Sequence, residues 1–257
     1  MANTILYEYP LNERVRLLLR FEQLLLQFQH AARSNSFWDS RLALLTLFDL
    51  AELVSRSELR GELGKFLNRL RKRFVSLLDH GGVDNHALEQ TLSELDQTSA
   101  ALHNLYSGEL DIVNHQAFLQ MVRQRSTIPG GSCSFDLPAL HHWLEITPAD
   151  TRHQQLLNWT RPFAPLCEGT QLVLGLLRSS AYPRQQRAEQ GRFQQTFDAQ
   201  NAPQLLRLDI APEQGAFPEI SGDHHRITIR FMVQNTPNES IQICTETIPF
   251  QLTYCRI

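Results

Sequence analysis

The sequence predicts an α+β protein, with an N-terminal α-helical domain followed by a small antiparallel β domain. Three observations carry this. Apolar residues recur at three- and four-residue spacing through the first two thirds of the chain, the period of helices buried on one face. In the last third the period changes to two: Ile227, Ile229, Phe231 and Val233 alternate with Arg226, Thr228, Arg230 and Met232. Between them AYPRQQRAEQGRFQQTFDAQNAPQ is polar, rich in Gln and Arg and without helical period, and reads as a long loop or linker. The expected division is a mainly helical domain over 1–180, with 126–146 crossing to the β domain, and a β domain over 181–257.

The elements follow in order. After an extended TILYEYP, Asn12 can cap a helix through its side-chain oxygen. Val15, Leu18, Leu19, Leu25 and Leu26 form that helix's apolar stripe, with Arg16 and Arg20 neighbours on its exposed face. A second helix is expected over about 39–54. Ser55 and Glu58 have the spacing of a capping box for a third, which carries Leu63, Phe66, Leu67, Leu70, Phe74, Leu77 and Leu78 and stops at HGGVDN. A fourth follows Asp84 or Asn85, and a fifth starts near Asn114. Thr147-Pro148 marks another start, a cap followed by proline at the first helical position. The run LVLGLL belongs to a last helix ending near Ser180. Strands are expected at LLRLDI, HRITIRFMV and SIQICTETIPFQLTYC.

Composition bounds the function. Hydrophobic content of 42% and charged content of 20% are those of a chain that buries a core. A formal net charge of -3 argues against a general nucleic-acid binder, which carries a basic excess. The four cysteines, Cys133, Cys167, Cys244 and Cys255, form no C-x-x-C pair. With no signal-peptide pattern and no apolar run long enough to span a bilayer, the expectation is a cytoplasmic protein with reduced thiols.

VRQRSTIPGGSCSFDLPALHHWL, from Val122, holds residues that in other settings do chemistry. PGGSCS lacks the spacing and the lysine of a phosphate loop. Pro129 and Gly130 instead suit the two central positions of a type II turn over 128–131. SCSFDL beyond it alternates like a short strand. Cys133 reads as a packing residue rather than a nucleophile. Adjacent side chains diverge on helix or strand, so His141-His142 reads as one buried and one exposed histidine rather than a metal pair. No cofactor motif is present. Arginines are the remaining feature. Arg178, Arg184, Arg187 and Arg192 with one acid, Glu189, give a local charge of +3. Arg226 and Arg230 share one strand face, where a planar fork can hold a carboxylate with two bonds; spacing alone favours a solvated strand face. Lys65, Arg69, Arg71, Lys72 and Arg73 read as a solvated helix face.

LNERVRLLLR, VRQRSTIPGGSCSFDLPALHHWL, LLRLDI and FPEISGDHHRITIRFM together resemble the ZapD family of bacterial cell-division factors. The resemblance implies a non-enzymatic cytoplasmic homodimer at the mid-cell division site. It implies binding to the C-terminal tail of FtsZ through a basic pocket and cross-linking or bundling of FtsZ filaments, with no cofactor, membrane or nucleic acid. The matched positions are Arg16, Arg20, His141, Arg226 and Arg230, with Arg178 and Arg184 as further candidates. Asp223 departs from the family's pattern and would weaken the pocket or pair with an arginine. The segment from Asn235 matches poorly. The alternative is a nucleic-acid-binding or regulatory protein using the same basic patch.

Overall fold

A computed structural model describes residues 4–78, 85–198, 201–234, 236 and 238–257. The chain forms two compact units: Met1–Leu19 with Leu174–Ile257, and Arg20–Val173. The β unit thus takes in the N-terminal strand, and 126–146 lies within the helical unit.

Nine α-helices are described: α1 (Glu13–Ala32), α2 (Phe37–Arg56), α3 (Leu59–Val75), α4 (Asn85–Asn104), α5 (Ile112–His115), α6 (Ala117–Ser126), α7 (Pro138–Ile146), α8 (Ala149–Thr160) and α9 (Ala164–Arg178). The Asn12 carboxamide accepts the Val15 N–H at 2.9 Å, the expected cap. Val15, Leu18, Phe21, Leu25 and Phe28 are buried along α1, whereas Leu26 is exposed. Ser36 caps α2 by accepting the Trp38 N–H at 3.2 Å. The capping box at Ser55 does not form. Ser55 lies inside α2, which runs on to Arg56, and its hydroxyl donates to the Glu52 carbonyl at 3.0 Å. The stop of the third helix at HGGVDN and the start at Asp84 lie outside the described residues, apart from Asn85, where α4 begins.

Two helix readings are corrected. The Pro129-Gly130 turn is as expected, with Gly130 at φ 73° and the Gly131 N–H donating to the Ile128 carbonyl at 2.8 Å. SCSFDL, however, is a series of tight turns and not a strand, and PALHHWLEI is helix α7. The alternation was accidental: Cys133, Ser134 and Phe135 are all exposed, and only Leu137 at the foot of α7 is buried. At Thr147-Pro148 the proline itself takes the cap position of α8, without a side-chain cap.

The helical unit is held by an unusual buried arginine. Arg152 of α8 is 3% exposed and donates to Ser40 Oγ at 3.1 Å and to the carbonyls of Leu144, Thr147 and Asn35 at 3.1, 2.6 and 2.9 Å. Its guanidinium also lies 4.9 Å from the centre of the Phe37 ring. These donations complete the carbonyls at the end of α7 and before α2, tying three elements with one side chain.

The β unit has two sheets. One has the order β1-β4-β8-β2, from β1 (Ile5–Pro10), β2 (Arg184–Ala188), β4 (Leu205–Ile210) and β8 (Ile248–Cys255). The other has the order β3-β6-β5, from β3 (Arg192–Thr196), β5 (Ala216–Gly222) and β6 (Arg226–Val233), with the short β7 (Gln242–Ile243) also pairing β6. All pairings are antiparallel. Leu206, Leu208, Ile210, Ile227, Ile229, Phe231, Phe250 and Leu252 form one core shared by both sheets. Phe250 of the first sheet meets Phe193 and Phe231 of the second at 5.4 and 5.0 Å.

The expected long linker is two strands joined by a tight turn, one in each sheet. Arg184–Ala188 and Arg192–Thr196 are strands joined at Glu189–Arg192, where the Arg192 N–H donates to the Glu189 carbonyl at 2.9 Å. Gln190 and Gly191 both have positive φ, 50° and 67°, the signature of a type I′ turn. Glycine is required at 191, since a Cβ there would collide with the Cys244 carbonyl. The sequence carries little strand signal here because the outward side chains are Arg and Gln and few apolar residues mark the inner face.

Candidate functional site

The outward face of the sheet containing β6 gathers the strongest candidates. Ile227, Ile229 and Phe231 point into the core, so Arg226, Thr228 and Arg230 point out. Paired residues of neighbouring strands share a face, so the register sets the rest. Arg192 of β3 pairs with Arg230, which pairs on its other side with Glu219 of β5. One row on is Gln194, Thr228 and Ser221, and the next holds Thr196 and Arg226. Among the described residues, the guanidinium groups of Arg192, Arg226 and Arg230 hold no ion pair and no hydrogen bond, and all three residues are exposed.

Asp223 does not pair with an arginine side chain. Its carboxylate folds back on the β5–β6 hairpin, accepting the backbone N–H of His225 at 2.7 Å and of Arg226 at 3.2 Å. Those two backbone bonds hold the carboxyl below its ordinary value. The acid is thus part of the turn that presents Arg226. The His224 and His225 rings lie at the tip with their centres 3.8 Å apart, tilted by 42°.

The other candidates are placed differently. Arg16 on α1 is committed locally, 3.0 Å from Glu13 and 5.6 Å from the centre of the Tyr9 ring. Burial works against its charge, and the Tyr9 and Glu13 partners outweigh it, holding the guanidinium above its ordinary value. Arg20, one turn on, is exposed. Arg178 is a structural residue of the β unit. It grips Glu8 with two bonds, Nε to Oε1 at 2.9 Å and Nη2 to Oε2 at 2.7 Å, while Arg207 Nε reaches Oε1 at 3.0 Å. Arg184 begins β2 at a pocket of about 300 Å³ that it lines with Tyr182, Tyr254 and Arg256. Burial pushes the Tyr254 hydroxyl up, with Arg184 pulling the other way.

His141 belongs to the helical unit. It lines a groove of about 440 Å³ with Phe37, Trp38, Arg41 and Phe135, 4.0 Å from Glu145. Both His141 and His142 are exposed, contrary to the expected split, because α7 is short and buries only Leu140 and Trp143. Cys133 is exposed at the same groove, so it does not pack in a core.

From the sequence Arg192 enters only as part of a local charge of +3. Its position was visible in RFQQTF, where Phe193 and Phe197, four apart, mark an inward face and leave Arg192, Gln194 and Thr196 outward. Among the described residues no group of three or more His, Cys, Asp or Glu is arranged to hold a metal, and no helix is long and apolar enough to cross a membrane.

Comparison with known proteins places the chain. Residues 19–230 match the profile of the ZapD family, described as cell division protein. The cell division protein ZapD of Methylococcus capsulatus is 39% identical over 257 residues, 99% of each chain. Those of Aromatoleum aromaticum and an Azoarcus species are each 38% identical over 253 residues, 98% of this chain and 98% and 100% of theirs. With a match along nearly its whole length, the chain belongs to the ZapD family of cell division proteins.

Proposed function

We propose that this protein acts without catalysis in the cytoplasm at the mid-cell division site. There it binds the C-terminal tail of FtsZ and, as a homodimer, cross-links FtsZ filaments to promote assembly of the division ring. The observation that carries the reading is the pair of exposed guanidinium groups of Arg226 and Arg230 on one face of β6, which hold no ion pair among the described residues. Such groups bind carboxylates by charge-assisted hydrogen bonds and are not already spent on internal acids. Arg184, in the same unit, is also exposed and adds positive charge.

Single-site affinity is modest and falls with salt, because exposed charges are screened over about 8 Å at physiological ionic strength. A dimer offers two sites and each filament many tails, so effective concentration replaces single-site strength and bundles form without cofactor or covalent chemistry. The test is charge reversal. The double variant Arg226→Glu, Arg230→Glu is expected to stop sedimenting with FtsZ filaments while keeping its circular dichroism spectrum. Normal bundling by that variant would rule out the site.

A further inference from the structure

We infer that Arg192 completes the site on the second sheet, and that the site reads spacing: it takes an extended acidic peptide with carboxylates at positions i and i+4. One carboxylate is shared by Arg192 and Arg230, and the other sits on Arg226. This rests on the acidic-tail reading of the same face and adds the specificity to it.

The argument begins with the register. The Phe231 N–H donates to the Gly191 carbonyl at 2.8 Å, and the Phe197 N–H donates to the His225 carbonyl at 2.7 Å. These bonds bracket the β3–β6 ladder and make Arg192–Arg230 and Thr196–Arg226 non-hydrogen-bonded pairs. In such pairs the Cα atoms approach to about 4.5 Å and the side chains are at their closest. Two like charges directly opposite destabilise a sheet. Glu219 stands on the other side of Arg230 in the register yet forms no ion pair with it among the described residues. The fold therefore holds two adjacent forks unneutralised, a geometry that one carboxylate between them satisfies with both of its oxygens.

The spacing follows from the strand. Arg226 and Arg230 are four residues apart, so their Cα atoms are about 13 Å apart at a rise of about 3.3 Å per residue. A peptide extended alongside β6 has the same rise and the same alternation, so its residues i and i+4 face these two positions. The intervening row, Gln194, Thr228 and Ser221, is neutral and polar. It accommodates an uncharged residue at i+2. A uniform polyanion such as a nucleic acid would set charge over that neutral row and against Glu219, which disfavours it.

The test uses two probes on the full chain. One is a fluorescent FtsZ C-terminal tail peptide read by anisotropy. The other is a set of capped Gly/Ser peptides with two aspartates at i,i+2 or i,i+4, read by amide chemical shifts at Arg192, Arg226 and Arg230. The i,i+4 peptide is expected to shift all three amides and the i,i+2 peptide to shift them less. Arg192→Gln and Arg230→Gln should each weaken tail binding roughly tenfold, the loss expected of one charge-assisted hydrogen bond. The double variant should lose less than the product of the two, since both grip one group. Arg192→Lys should fall between, keeping the charge without the fork. Tail affinity within twofold of wild type for Arg192→Gln, or equal shifts from both spacings, would overturn the inference. Equal competition by a single-stranded oligonucleotide would also overturn it. Should the i,i+4 peptide bind but the FtsZ tail not, the proposed partner falls and the spacing rule stands.

Discussion

Glu8 of β1 and Arg178 at the end of α9 are joined by two hydrogen bonds, at 2.9 and 2.7 Å, with Arg207 of β4 closing on the same carboxylate at 3.0 Å. The three side chains are 18–30% exposed. One acid thus serves two cations from different elements, a fixed network rather than a solvated surface pair. Removing it leaves two half-buried positive charges. Glu8→Gln is therefore expected to cost about 1–3 kcal/mol of stability. Urea denaturation measures it, and a midpoint equal to wild type would show the network to be energetically idle.

Arg152 is expected to be the most sensitive single residue of the helical unit. Arg152→Leu removes a donor from three carbonyls and a hydroxyl inside a region where water cannot replace it. A loss of about 1–3 kcal/mol or more follows, the cost of leaving buried acceptors without their donor. Thermal unfolding followed by circular dichroism checks this; a fall of less than about 1 kcal/mol would contradict the role assigned to it.

The hairpin acid Asp223 separates two effects. Asp223→Ala removes the acceptor for the His225 and Arg226 N–H groups, so those amides should exchange faster and tail binding should weaken. Asp223→Asn keeps an acceptor and deletes a negative charge beside Arg226, so binding should be at least as tight as wild type. The folded carboxyl is held low, so its contribution is present above the ordinary carboxylate value and is lost as pH falls through the lower folded value. Equal exchange in wild type and Asp223→Ala would refute the capping role.

The cysteines give a pH prediction. Burial pushes the Cys255 thiol up to about 11 and the Cys167 thiol to about 12, from an ordinary value of 9.0. The folded state therefore keeps protons that the unfolded chain releases, and stability from these groups is full below pH 9 and falls as pH rises towards 11–12. Near pH 8 an alkylating reagent should label the exposed Cys133 first and spare Cys167, Cys244 and Cys255. Mass spectrometry of the labelled sites decides it. Cys133→Ser should leave filament bundling unchanged; loss of bundling would give Cys133 a functional role that this account does not assign it.

Much of this molecule was legible in the sequence where a period was strong. Val15, Leu18 and Leu25 of the α1 stripe, the Asn12 cap and the inward Ile227, Ile229 and Phe231 of β6 stand where the pattern put them, whereas Leu26 of the same stripe is exposed. The strands β2 and β3 were not legible as strands, because edge strands rich in Arg and Gln carry little apolar signal. Helix α7 was hidden by an accidental alternation in SCSFDL. Within the candidate site, Arg226 and Arg230 followed from period two. The cross-strand neighbour Arg192 did not, since pairing joins residues 38 positions apart and no local pattern encodes register. Arg178 looked like surface charge because its partner, Glu8, lies at the other end of the chain.

The central claim is that this ZapD family member bundles filaments by holding the FtsZ tail on its arginines. Co-sedimentation with FtsZ filaments, with and without the C-terminal tail and across a salt series, tests it most directly. The account predicts that the protein pellets with intact filaments, that pelleting declines steadily with salt, and that it is lost when the tail is removed. Undiminished pelleting with tail-less filaments would contradict it.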